Sequence, residues 1–306
     1  MISLLSVSKS FRGQPAVDSL ECEIMKGEIF GIVGPDGAGK STLLRMMAVI
    51  LVPDQGQIFV EGENVFSNPF KAKERIAYMP QRFGLYEDLT VEENIFFFGK
   101  LFGLTSAQIR KKLPMLYDFS NLGPFGTRMA GKLSGGMKQK LGLACCLVHE
   151  PEIILLDEPT NGVDPVSRRE FWKILYDLLG RGVTIVVSTA YLDEAERCGR
   201  IALMYRGKFI RLGTPGEIKK MTGKPLLEII CDDPRRAEDL LRHDHHYRRV
   251  IRTGSSLRLF INDPGVHSRA IRKNLSQNGI AVKKIGTIVP SLEDTFVEVI
   301  EKGGAQ

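Results

Sequence analysis

Three short stretches hold residues whose types and spacing can do phosphate chemistry. The first, Gly34-Pro35-Asp36-Gly37-Ala38-Gly39-Lys40-Ser41-Thr42, fits G-x-x-x-x-G-K-[ST]. Its glycines let the backbone curl so that successive N–H groups point inward at phosphate oxygens. The start of a following helix adds partial positive charge. Lys40 has the reach for β- and γ-phosphates, and the Ser41 hydroxyl can ligate Mg2+. The second stretch, Ile153-Ile154-Leu155-Leu156-Asp157-Glu158, runs four apolar residues into two acids. A buried strand of this kind presents carboxylates at its C-terminal end, where the ligand crevice of an α/β sheet lies. Asp157 would hold Mg2+ through water, and Glu158 would polarise an attacking water as general base. In the third, Leu133-Ser134-Gly135-Gly136-Met137-Lys138-Gln139, Ser134 can cap a helix while two glycines leave its N–H groups open to an anion.

These residues act only if strands and helices hold them. Ile29-Phe30-Gly31-Ile32-Val33 is apolar without alternation, as in a parallel strand buried on both faces, and it runs straight into the glycine-rich turn. A helix is expected from about Lys40 to Val49. Residues 1–30 read as antiparallel strands, and 57–61, 75–79, 183–188 and 201–205 as further strands. Residues 90–150 turn helical, with capping boxes at Thr90/Glu93 and Thr105/Gln108. Asp164-Pro165 opens another helix, with Trp172, Leu175, Leu178 and Leu179 as its apolar stripe. A boundary falls near 214–225, giving domains 1–220 and 225–306. The second reads β-α-β-β-α-β, the order of a small ferredoxin-like α+β domain, with a last helix capped by Ser291.

Composition sets the outer limits. With 306 residues, the chain has room for one large and one small domain. No run of 18 apolar residues occurs, so no transmembrane helix is expected, and the N-terminus lacks the pattern of a signal peptide. Five scattered cysteines read as reduced thiols, with Cys145 and Cys146 in a helix or core. The net charge of +6 is spread along the chain and reads as a solvated surface; nucleic-acid binding is not expected. His243-Asp244-His245-His246 reads as a solvated loop before metal site, and Arg235-Arg236 and Arg248-Arg249 as exposed faces before lipid contacts.

With the glycine-rich loop and acidic strand in place, Leu133–Gln139 resembles the signature of the ATP-binding-cassette (ABC) ATPases. The resemblance covers roughly 1–220. It implies a P-loop NTPase cassette with a parallel-sheet core, an antiparallel β subdomain and a helical subdomain. It assigns Phe11 to stacking on adenine, Gln81 to Mg2+ and the transporter contact, and Asn161-Gly162-Val163-Asp164 to the D-loop. It places Ser134, Gly135, Gly136 and Gln139 on the ATP of another subunit, in a head-to-tail homo- or heterodimer. The stretch around Tyr191-Leu192-Asp193-Glu194-Ala195 and the terminal Pro290-Ser291-Leu292-Glu293-Asp294 resemble ATPases of daunorubicin-resistance-type drug and polysaccharide exporters. Those work with separately encoded polytopic membrane subunits, which implies a peripheral protein on the inner face of the cytoplasmic membrane. The segment 81–94, with Phe83 and Tyr86, is the candidate surface for a coupling helix; Phe96, Phe97 and Phe98 read as helical-subdomain core.

One landmark is missing. The family usually has histidine where Ala190 stands, reaching the γ-phosphate and the water-polarising glutamate. His149 precedes the Asp157 strand, roughly 15–20 Å from the carboxylate end, and Tyr191 is expected to point elsewhere. Slow hydrolysis follows as the expectation, through loss of one transition-state donor. Two other readings compete with the exporter: a weakly hydrolysing regulatory subunit, and a non-transport ABC protein acting on a soluble partner such as the ribosome.

Overall fold

The computed structural model describes residues 1–82, 84–221, 224–244, 247 and 250–303. Phe83, His245, His246, Arg248 and Arg249 lie outside the described residues. Packing divides the chain into Met1–Pro215 and Gly216–Gln306, a division that falls within the stretch 214–225.

In the first unit, β1 (Ile2–Phe11) pairs antiparallel with β2 (Gln14–Ile24). A bulge at Ser6, which takes a left-handed φ of 47°, shifts the alternation so that Ile2, Leu4 and Val7 are all buried while Leu5 faces out. β3 (Ile29–Val33) is buried at every position. Its Gly31 is required by close approach: a Cβ there would stand 2.9 Å from both Cys198 Sγ and Ile201 Cγ2. From β3 the chain enters the glycine-rich loop and α1 (Lys40–Met47). β4 (Gln55–Val60) and β5 (Glu63–Asn64) then return to β1, giving an antiparallel sheet ordered β2-β1-β4-β5.

α2 (Pro69–Arg75) leads into β6 (Ile76–Met79). The helical part follows, with α3 (Val91–Leu101), α4 (Ser106–Ser120) and α5 (Gly135–Leu147). Both expected capping boxes form, at Thr90/Glu93 and Thr105/Gln108. Phe96, Phe97 and Phe98 depart from expectation, because all three are half-buried. α3 turns Val91, Asn94, Ile95 and Gly99 inward instead, and Phe97 meets Tyr86 edge-on at 4.4 Å.

The chain continues through β7 (Ile153–Asp157), α6 (Pro165–Gly180), β8 (Thr184–Thr189), α7 (Leu192–Ala195), β9 (Arg200–Tyr205) and β10 (Lys208–Gly213). These complete a sheet ordered β10-β9-β3-β8-β7-β6, parallel except for β10. Asp164 caps α6 by accepting from Val166 and Ser167 N–H. The buried stripe of α6 is Phe171, Trp172, Ile174, Leu175 and Leu178; Leu179 is only half-buried. Complete burial of Trp172 alone contributes on the order of 3 kcal/mol. Register decides what stands at the C-terminal edge: Val33 lies beside Thr189, and Asp157 beside Ser188.

α8 (Pro215–Lys220) begins at the division between the units. In the second unit β11 (Leu226–Cys231), α9 (Pro234–Arg242), β12 (Ile251–Thr253), β13 (Ser256–Phe260), α10 (Pro264–Gln277) and β14 (Val282–Ile288) form an antiparallel sheet ordered β12-β13-β11-β14. This is the ferredoxin-like order. Leu227, Ile229, Leu257 and Leu259 of the sheet pack with Leu241 and Ile271 of the helices in one core. α11 (Leu292–Gly303) starts with Ser291 and Asp294 capping each other.

Candidate functional site

The glycine-rich loop, β7 and the segment leaving β6 converge on a cleft of about 370 Å3, lined by Ala16, residues 36–42, Gln81 and Glu158. The loop's backbone leaves no room for substitution at two points. A Cβ on Gly34 would lie 2.2 Å from the Met204 carbonyl oxygen, and one on Gly39 would lie 2.1 Å from that of Ala16. Gly39 also takes a φ of 108°, which side chains rarely adopt. This curl points the start of α1 into the cleft. Ala16, on β2, lines it without having been foreseen; nothing about a lone alanine on an alternating strand marks it.

Lys40 is 4% exposed, and its ammonium is fully partnered. It donates to the carbonyls of Gly34 at 2.8 Å and Pro35 at 3.1 Å, and pairs with Glu158 Oε1 at 3.0 Å. Glu158 Oε2 accepts from Gln81 Nε2 at 2.9 Å and from Asn161 Nδ2 at 3.2 Å. Glu158 holds a left-handed φ of 47°, which costs an L-residue roughly 1–2 kcal/mol. That turn is held by its own N–H, bonded to both the carbonyl and the Oγ of Ser188.

Asp157 is buried. Its Oδ1 accepts from Ser41 Oγ at 2.9 Å and Ser188 Oγ at 2.6 Å, and its Oδ2 from Tyr78 OH at 3.2 Å. Burial, then the Asp157 charge, pushes the Tyr78 phenol up to about 12, so it stays a donor. Ser188 and Tyr78 are recruited by neighbouring strands, at the ends of β8 and β6. Strand pairing order, which is not written in local sequence, puts them there.

Other expected residues lie apart from the cleft's lining. Phe11, at the end of β1, is 49% exposed. Ser134 caps α5 and accepts from Met137 N–H, with Gly135, Gly136 and Gln139 in the first turns of that helix. Gly136 is pressed against α6, where a Cβ would lie 2.5 Å from Ser167.

Ala190 is exposed, directly after β8. His149 stacks on Phe102 with ring centres 3.7 Å apart, and burial drives its pKa down to about 4. Tyr191 is not among the residues lining the cleft. Its hydroxyl donates to Asn161 Oδ1 at 3.3 Å. His243 is exposed and bonds the Asp239 carbonyl, and no group of His, Cys, Asp and Glu able to hold a metal occurs among the described residues. Arg235 and Arg236 are exposed. Burial pushes the Cys146 and Cys198 thiols up to about 12, as inert core groups. No helix among the described residues is long and apolar enough to cross a membrane.

A curled loop ending in a buried lysine, a serine–aspartate oxygen pair and a glutamate beside them define a phosphate-loop ATPase on a cassette sheet. The ABC transporter family profile matches residues 17–161, and the profile for the C-terminal domain of DrrA1-3-like ATP-binding proteins matches 213–300. The chain is 40% identical over 318 residues to the probable multidrug ABC transporter ATP-binding protein YbhF of Escherichia coli (strain K12), and spans about half, 52%, of that relative's length. It is 37% identical over 300 residues to Nod factor export ATP-binding protein I of Rhizobium sp. (strain N33), covering 97% of this chain and 96% of the other. Among solved structures, an ATP-binding subunit of an ABC transporter matches at TM-score 0.66 and 28% identity, over 73% of this chain and 93% of that one. A dimeric ATP-binding cassette in a post-hydrolysis state with ADP and Pi matches at TM-score 0.64 and 26% identity, over 70% and 98%. The chain belongs to the ATP-binding proteins of ABC transporters.

Proposed function

We infer that this chain is the ATP-hydrolysing subunit of a multi-component exporter, handling cargo of the drug, lipid or polysaccharide class. It works as a head-to-tail homo- or heterodimer against a separately encoded polytopic permease, at the cytoplasmic face of the membrane. The observation that carries the hydrolytic reading is Glu158, held between Lys40 and two amides at the mouth of the phosphate loop.

The chemistry follows from these contacts. Loop N–H groups and Lys40 bind the triphosphate, with Lys40 exchanging Glu158 for the γ-phosphate oxygens. Glu158, so released, takes a proton from water as its oxygen attacks the γ-phosphorus, and ADP leaves. Ser41 Oγ and Asp157 Oδ1 are hard oxygen donors 2.9 Å apart, with Gln81 nearby on Glu158; this set fits Mg2+, whose charge would offset that on the phosphates. The exporter class is supported by near full-length similarity to a Nod factor export ATP-binding protein and by the DrrA-like second domain. Two ATPs shared between subunits would favour the closed dimer, and hydrolysis would remove that preference.

Affinity purification from membranes tests the reading. The expected result is a co-purifying polytopic membrane protein that raises phosphate release. Recovery instead in a soluble complex with RNA or ribosomes overturns it.

A further inference from the structure

We propose that Tyr191 is a positioning residue for hydrolysis, acting through Asn161 on Glu158 from the loop that lacks the expected histidine. The inference rests on the ATPase reading above. The bonds run in one direction. Glu158 is an acceptor, so Asn161 must face it with Nδ2, at 3.2 Å, leaving Oδ1 for the Tyr191 hydroxyl at 3.3 Å. Glu158 thus sets which end of the amide it meets, and Tyr191 pins the other end in place. Without its hydroxyl, Asn161 is a surface side chain free to swing away, because it is exposed.

Core packing does not account for the ring's placement, since Tyr191 is 38% exposed. Polar contacts account for it. Its N–H donates to Thr189 Oγ1 at 2.9 Å, and the Arg168 guanidinium lies 4.5 Å from the ring centre. Arg168 stands 3.6 Å from Asp193 and 3.6 Å from the buried Glu194, which accepts from Thr160 and Thr189. Thr160 belongs to the same turn as Asn161, so one buried carboxylate ties the loop after β7 to the loop after β8. Tyr191 reaches across that tie to the base.

The test is steady-state ATP hydrolysis by the purified full chain, with nucleotide affinity read separately from a fluorescent ATP analogue. Tyr191→Phe keeps the ring under Arg168 and removes only the hydroxyl. A long, part-exposed bond is near the low end for a net hydrogen bond, so kcat should fall about 3- to 5-fold with affinity unchanged. Asn161→Ala should cost about tenfold, and adding Tyr191→Phe to it should cost nothing more. Asn161→Ser, with the same outcome, serves if Asn161→Ala folds poorly. Equal Tyr191→Phe losses in both backgrounds, or a loss in affinity rather than kcat, means a merely structural role and overturns the relay. Glu158→Gln runs alongside. If it silences turnover while Tyr191→Phe is neutral, only the relay falls; if it turns over like the parent, or the parent hydrolyses no ATP, both fall.

Discussion

Replacing Glu158 by glutamine changes charge but almost no volume, and the structure says what each end of the new amide meets. In the parent, Oε1 faces Lys40 at 3.0 Å and Oε2 accepts from two amides. The glutamine keeps an oxygen for Lys40, and its NH2 meets the Gln81 and Asn161 amides, which must turn their oxygens to accept. At an effective dielectric of 20, the lost ion pair is worth about 5 kcal/mol of gross attraction, most of it offset by desolvation of two nearly buried charges. A net ~1–2 kcal/mol is left, and it acts against the nucleotide, because the γ-phosphate must win Lys40 from Glu158. Removing the competitor should therefore tighten ATP binding about 5- to 30-fold. Removing the base should lower kcat by about 10²–10⁴. Equilibrium titration with a fluorescent ATP analogue and a phosphate-release assay read the two effects on one preparation. A fall in kcat below tenfold refutes the assigned base, and weaker binding refutes the competition for Lys40.

Gly39→Ala forces a Cβ to 2.1 Å from the Ala16 carbonyl at a φ of 108°, and should destabilise the protein by at least ~2 kcal/mol and abolish nucleotide binding, measured by thermal unfolding with and without ATP. Ala190→His should raise turnover, by up to about 10²–10³ if the ring reaches the γ-phosphate; an unchanged rate means that water is positioned by other groups. His149 is held neutral when folded, with its pKa lowered from 6.5 to about 4, so its contribution is complete above pH 6.5 and drains away as pH falls toward 4. Discounted for partial exposure, the loss between pH 7 and pH 5 is about 1 kcal/mol, and His149→Phe should remove it in denaturation curves at the two pH values. Gly136→Ala must push α5 from Ser167, and should lower the Hill coefficient for ATP more than it lowers affinity; an unaltered coefficient contradicts a linked pair of sites.

Much of the fold was legible because its signals are local. An unbroken apolar run, a capping carboxylate before proline and a glycine-rich turn each name their own element, and β3, α1, β7 and α6 formed where they were expected. The phosphate loop and the two acids were legible for the same reason. What stayed hidden depends on residues far apart in the chain. Ser188 reaches Asp157 only because β8 lies beside β7 in one register, and Tyr78 only because β6 flanks it on the other side. The bond of Tyr191 to Asn161 was hidden too, because it joins loops 30 residues apart, after β8 and after β7. Phe96, Phe97 and Phe98 looked like core because they are aromatic. Three consecutive residues on a helix span about 200° of its circumference, so they cannot all face inward.

The close approach of Gly136 to Ser167 and the ion pair of Lys140 with Glu170 join α5 to α6 at two points. One helix carries the residues that would touch a neighbour's nucleotide. The other begins at Asp164, three residues past Asn161, and so reaches back to the base that serves this chain's own nucleotide. In the head-to-tail dimer proposed above, a glycine without a side chain would be the point through which one site bears on the other, because its bare backbone lets α5 close on Ser167 of α6.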